Sequence, residues 1–177
     1  MSSDIFIQNL FNALTVGSLY ALIAIGYTMV YGILRFINFA HGDVFMMGAY
    51  FIFFAVNFFS MLFFSASFNA LPWPQATLMT LLGAGLAIGG AVLLGVTVDQ
   101  VAYRPLREAP RISALISAIG VSFLLENFGL VIFTGLPRPA VQPQWMVDPI
   151  ILGDNIRILP LSIIVPAVTA VLVIGLL

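Results

Sequence analysis

Long apolar runs separated by short polar clusters set the plan of this chain. Ile5–Leu34 and Val44–Val98 carry no charged residue, and a helix needs about 20 apolar residues to cross the hydrocarbon core of a bilayer. The first run predicts one spanning helix over 10–33. The second is long enough for two, and its break is legible at 65–74: Pro72 and Pro74 stop a helix, and Trp73 suits the membrane interface. Spans at 45–64 and 76–98 follow. A fourth is predicted over 112–134, with Glu126 inside it, and a fifth over 159–177. Between these last two lies a polar connection with Pro137, Pro139, Pro143, Pro149 and Trp145. The expected fold is all-α, a polytopic integral membrane bundle of about five transmembrane helices in a single domain over 1–177.

Composition agrees with that plan. Only 7% of the 177 residues are charged and 62% are hydrophobic, with a mean hydropathy of +1.13. A chain this small leaves much of its surface outside any core, so the solvent that meets this surface must be lipid. The same composition excludes intrinsic disorder. The net charge of −1, with no lysine, excludes nucleic acid as a partner. Cysteine is absent, so there is no disulfide framework and no thiolate for metal binding or catalysis, and the single histidine argues against a His-rich metal centre. The first residues lack the basic cluster and cleavage site of a signal peptide. The final span is still running at Leu177 with no basic stop, which reads either as a short C-terminal helix or as the front portion of a longer membrane domain.

The few charges orient the spans. Arg104, Arg107 and Arg111 lie together in the connection 99–111, and cytoplasmic loops carry the arginine excess. That loop is therefore expected in the cytoplasm, with Arg35 on the same side and Arg138 and Arg157 outside.

Two polar features interrupt the apolar runs. Residues 32–43 mix Phe36, Ile37, Phe39 and Ala40 with Arg35, Asn38, His41 and Asp43. This is the composition of a broken or re-entrant segment, and backbone of that kind survives at membrane depth only inside protein or along a water-filled path. Helix N-termini in such segments often face transported anions, and Asn38 or Asp43 is suited to cap the helix that follows. A tight cytoplasmic turn with Arg35 snorkelling to the headgroups fits the same residues. Glu126, in mid-span, is costly in lipid and a functional candidate. Helical spacing puts it on a face with Ala118, Ser122 and Gly129, so it is expected to point into protein, as a structural hydrogen bond or as part of a path. Gly85 and Gly89 form a G-x-x-x-G in the third span, continued by Ala87, Ala91 and Gly95, a pattern for close helix packing. No Walker loop, zinc motif or nucleophile elbow is present, so no enzyme activity, cofactor or metal is expected.

Two blocks carry a family resemblance. The first runs Gly17-Ser18-Leu19-Tyr20-Ala21-Leu22 through Gly26-Tyr27-Thr28-Met29-Val30-Tyr31-Gly32 and on to Asn38-Phe39-Ala40-His41-Gly42-Asp43. The second is Ala102-Tyr103-Arg104-Pro105-Leu106-Arg107, followed by Leu115-Ile116-Ser117-Ala118-Ile119-Gly120. They resemble the permease subunits of branched-chain amino acid ABC importers, LivH type. The resemblance implies a bacterial inner-membrane permease that pairs with a homologous second permease. It also implies two cytoplasmic ATPase subunits, which carry out the hydrolysis, and an external solute-binding protein that delivers leucine, isoleucine or valine. It places Asn38, His41, Gly42 and Asp43 along the substrate path, with Glu126 as a further candidate. Members of the family are longer, and their loop that couples to the ATPase falls outside this chain. A urea- or amide-type permease of the same family, an ion-coupled carrier using Glu126, and an assembly subunit with no path are the competing readings.

Overall fold

A computed structural model describes residues 3–152 and 156–176. The helices are α1 (Ser3–Leu34), α2 (His41–Phe64), α3 (Trp73–Val98), α4 (Arg111–Phe133), the short α5 (Gln144–Val147) and α6 (Leu161–Leu176). Strands β1 (Ile150–Leu152) and β2 (Ile156–Ile158) pair antiparallel, Ile150 opposite Ile158. Four helical stretches among the described residues are long and apolar enough to cross a membrane: Ile5–Ile33, His41–Phe64, Trp73–Leu106 and Ile112–Phe133. The chain is a multi-pass membrane protein. The fifth predicted span appears as α6, with 16 described residues, and Leu177 lies outside the described set. The chain divides into two compact units, Met1–Met29 with Gln142–Leu177, and Val30–Val141.

In the second unit, α2 and α3 pack antiparallel through glycine. A Cβ built on Gly83 would stand 2.4 Å from Val56 Cγ2 and 3.3 Å from the Val56 backbone nitrogen, and one on Gly90 would stand 2.8 Å from the Phe51 ring. Ala87, between them on the same face, is buried. Small residues let helices approach closely in lipid, where burial gives no hydrophobic drive. The stripe in use is therefore Gly83, Ala87 and Gly90. Gly85 and Gly89, the pair picked out by the sequence motif, face open space. At one end of this helix pair, Val56, Phe68, Leu71, Ala76 and Met79 form a core in which the Ser65–Pro72 connection folds back on the helices. Pro74 sits in the first turn of α3, where its missing N–H leaves no intrahelical bond broken.

Where a loop is predicted after residue 98, the helix continues. Asp99–Tyr103 form a π-helical turn and Arg104–Leu106 a 3-10 turn, so the connection to α4 shrinks to 107–110. Packing explains the extension: Val98 and Tyr103 are buried with Ala118 of α4, and Phe36 packs against them. The Ser117 hydroxyl donates to the Ala102 carbonyl at 3.0 Å, satisfying one of the acceptors that a helix end leaves over.

In the first unit, two threonine hydroxyls lie where α1 meets α6. Pro166 lies inside α6 and has no N–H to offer the Ser162 carbonyl one turn back. Thr15 Oγ1 donates to the Phe11 carbonyl on its own helix at 2.9 Å and lies 3.4 Å from that of Ser162, while Thr169 Oγ1 donates to the Val165 carbonyl at 2.8 Å and lies 3.5 Å from that of Ser18. The Arg157 backbone N–H, in β2, donates to Gln8 Oε1 at 3.0 Å. The hairpin and α5 are structured where sequence alone suggests only an irregular polar connection.

Candidate functional site

The break between α1 and α2 is where polar groups gather inside the second unit. Its entry is set by Arg35, which closes α1 in the left-handed region at φ 56° and whose N–H donates to the Tyr31 carbonyl at 2.8 Å. Five residues then pass before His41. Asn38 organises them. Its Oδ1 accepts from the Ala40 N–H at 3.1 Å and from the Tyr103 hydroxyl at 2.6 Å, and its carbonyl accepts from the His41 N–H at 3.2 Å. Tyr103 is itself fixed by burial and by an edge-on contact with Phe36, ring centroids 5.2 Å apart. Ala40 is the cap residue of α2 and is fully buried. Asn38 therefore holds the turn just ahead of the helix and does not cap it directly. Asp43 does not cap it either. It lies in the first turn of α2, where the helix dipole favours a carboxylate, and its Oδ2 accepts the Ser122 hydroxyl of α4.

These contacts also give the depth of the break. Asp43 is the third residue of α2, and Ser122 is the twelfth of α4. Further along, Tyr50 stacks on Phe133 with centroids 4.4 Å apart. The two helices run parallel but out of step by nine to thirteen residues, roughly 14–20 Å at the α-helical rise. The start of α2 thus lies well along the length of α4 instead of level with its first turn. The segment 32–43 therefore joins both readings: Arg35 and Phe36 lie level with the neighbouring helix ends, beside Leu106, Arg107 and Ala114, and Asp43 reaches Ser122 farther along α4. His41 is half-buried and Gly42 is exposed, with nothing within 4 Å of a Cβ built there. One side of the break is packed on α3 and α4, and the other is open.

Glu126 differs from the expectation. It is exposed and makes no hydrogen bond or ion pair among the described residues. The packed face of α4 runs through Ala114, Ala118, Leu125 and Gly129. At 100° per residue Glu126 falls about 80° from Ala118, on the flank of exposed Ile119, Phe123 and Leu130. The sequence groups it with Ala118, Ser122 and Gly129, but only those three meet protein within this chain.

The arginines expected to mark the cytoplasmic end cluster where α3 gives way to α4. Arg104 is exposed, and Arg107 is 3.5 Å from Asp99, the one ion pair among the described residues. Arg111 opens α4, but its side chain lies outside the described residues. Tyr103 and Ser122 are the site residues that a reading of single positions misses, because their signal is a partner far away in sequence.

Comparison with known proteins bears on this site. Residues 9–177 match the family profile described as branched-chain amino acid transport system / permease component. The chain is 48% identical over 122 residues, 69% of its length, to the high-affinity branched-chain amino acid transport system permease protein BraD of Pseudomonas aeruginosa, and this covers 37% of that protein. It is 43% identical to the corresponding permease LivH of Salmonella typhimurium over 151 residues and to LivH of Escherichia coli K12 over 147, in each case 80% of this chain and 44% of the relative. The chain thus spans less than half the length of these relatives. No solved structure matches it.

Proposed function

The chain belongs to the branched-chain amino acid transport permease family, and on that footing we propose that it forms part of the translocation path of an inner-membrane, ATP-driven importer for leucine, isoleucine and valine. The observation that carries the reading is the polar break of 35–43, which runs from the end of an apolar bundle to the Asp43–Ser122 contact along α4 and is open on one side at Gly42. An amino acid zwitterion with an aliphatic side chain needs a short polar stretch in an apolar wall. Here the first turn of α2 offers backbone N–H groups to its carboxylate, Asp43 offers an anion to its ammonium group, and the surrounding aliphatic and aromatic residues accept its side chain. Asn38 and Ser122 position this stretch through Tyr103 and Asp43 without having to touch the substrate.

The permease itself performs no hydrolysis in this proposal. It works with a homologous second permease, two cytoplasmic ATPase subunits and an external solute-binding protein. Residues 1–177 act within a single permease domain, with Arg104, Arg107 and Arg111 at its cytoplasmic end. The test is reconstitution of the full-length permease with these partners in proteoliposomes, followed by uptake of radiolabelled leucine. ATP- and binding-protein-dependent accumulation of leucine, and not of urea, is expected. Uptake driven by a proton gradient without ATP would refute it.

A further inference from the structure

The end of the second unit carries a groove to which the transport reading assigns no ligand, although Arg35, Phe36 and Tyr103 belong also to the break. It has a volume of about 360 Å³ and lies where α1 stops, the α3 extension ends and α4 begins. Arg35 and Arg107 line it as cations, and Ile33, Phe36, Leu106 and Tyr103 supply most of its apolar and aromatic wall. The left-handed backbone at Arg35 sets where that side chain leaves the chain, and among the described residues its guanidinium has no carboxylate partner. Arg107 keeps a long, exposed contact to Asp99 at 3.5 Å, so a second anion on its other donors is compatible with it. Ile33 is 79% exposed at the rim, an aliphatic surface next to two guanidiniums.

We propose that this groove binds the phosphodiester headgroup of an anionic glycerophospholipid, with Arg35 and Arg107 on the phosphate and the Ile33–Phe36–Leu106 wall against the first part of an acyl chain. The guanidinium fork suits phosphate oxygens, and basic pockets between membrane helices at the cytoplasmic side are sites for acidic headgroups. The arginine distribution puts this end of the bundle at that side. A free phosphate would use the cations and leave the apolar wall idle. The joint presence of both is what selects a lipid, and the proposal does not depend on which solute the protein transports.

The full-length protein in mild detergent would be titrated with short-chain phosphatidylglycerol and with phosphatidylcholine, and bound lipid counted by native mass spectrometry. Phosphatidylglycerol is expected to bind more tightly. Arg35→Gln and Arg107→Gln are each expected to weaken it about fivefold, the effect of one basic residue at a membrane surface, with no effect from Arg138→Gln, which lies after α4. Two separate substitutions keep the test open should one variant fail to fold, and thermal melting of each reports that. Equal affinity for the two lipids, or no loss in either folded variant, would overturn the proposal. So would inorganic phosphate at equal concentration displacing the lipid completely, since the site would then be one for a free anion. A photo-crosslinking residue at Ala109, in membranes with partner subunits present, is expected to yield a lipid adduct. An adduct to protein alone would make the groove a protein dock and would also overturn the proposal.

Discussion

Removing the Asn38 side chain should show how much the α1–α2 break depends on it. Asn38→Ala deletes two hydrogen bonds, from the Ala40 N–H and from the Tyr103 hydroxyl. Ala40 is fully buried, so its N–H would lose its acceptor away from water, which costs about 1–3 kcal/mol. The lost Tyr103 bond adds about 1 kcal/mol. The expected total is about 2–4 kcal/mol. Tyr103→Phe is milder, because it leaves the ring against Phe36 and leaves Asn38 still accepting from Ala40, so about 0.5–1.5 kcal/mol is expected. The assay is a double-mutant cycle on the full-length protein, with unfolding free energies from denaturant titration in mixed micelles. Coupling of at least ~0.5 kcal/mol between the two positions is expected for residues in direct contact. Asn127→Ala is the control, since Asn127 is exposed and bonds only the Phe123 carbonyl on its own helix. Additive effects of Asn38→Ala and Tyr103→Phe, or an Asn38→Ala cost no greater than the control, would refute the argument that Asn38 organises the break.

Three other outcomes follow from the packing and the charge distribution. Gly83→Ala should cost about 1–3 kcal/mol, as overpacking does, because its Cβ would meet Val56, whereas Gly89→Ala should be neutral or stabilising; thermal melts of the two variants check the contrast. Pro166→Ala should restore the intrahelical donor for the Ser162 carbonyl and stabilise α6, read as a rise in the thermal melting temperature. Cysteines introduced at Glu108 and Gln142 should react with impermeant maleimide from the cytoplasmic and the external side respectively, and the reverse pattern would invert the orientation.

How much of this was legible in the sequence depended on how local the cause is. The spans are set by lipid acting on each residue in turn, so uncharged runs locate α2, α3 and α4 to within a few residues. The prolines of 65–74 act differently from the expectation: α2 already ends at Phe64, where Ser65 turns left-handed at φ 51°, and Pro72 and Pro74 mark the start of α3. The polar residues of 35–43 announce the break by composition alone. Its depth does not appear there, because it depends on the register between α2 and α4, and only contacts such as Asp43 with Ser122 fix that register. The third span shows the same limit: its glycines allow two stripes, Gly85–Gly89 and Gly83–Ala87–Gly90, and the choice rests with Val56 and Phe51 on another helix. The helical run past Asp99 was hidden because charged residues read as a loop, while burial of Val98 and Tyr103 against Ala118 holds the backbone helical. Glu126 is exposed within this chain, which the sequence does not show, because spacing along a helix gives its faces and leaves open which of them meets protein.

The break at the start of α2 is proposed to line the path of the transported amino acid. Gly42 is exposed, as are Ile37 and Phe39, and has open space around the position of a side chain, so a large residue there should fold and yet obstruct passage. The most direct measurement is ATP-driven leucine uptake by the full-length permease assembled with its partner subunits, comparing Gly42→Trp with Ser67→Trp, a substitution in the exposed connection after α2, at matched expression and thermal stability. Gly42→Trp is expected to abolish uptake while Ser67→Trp keeps most of it. Equal uptake by the two variants would contradict the proposal.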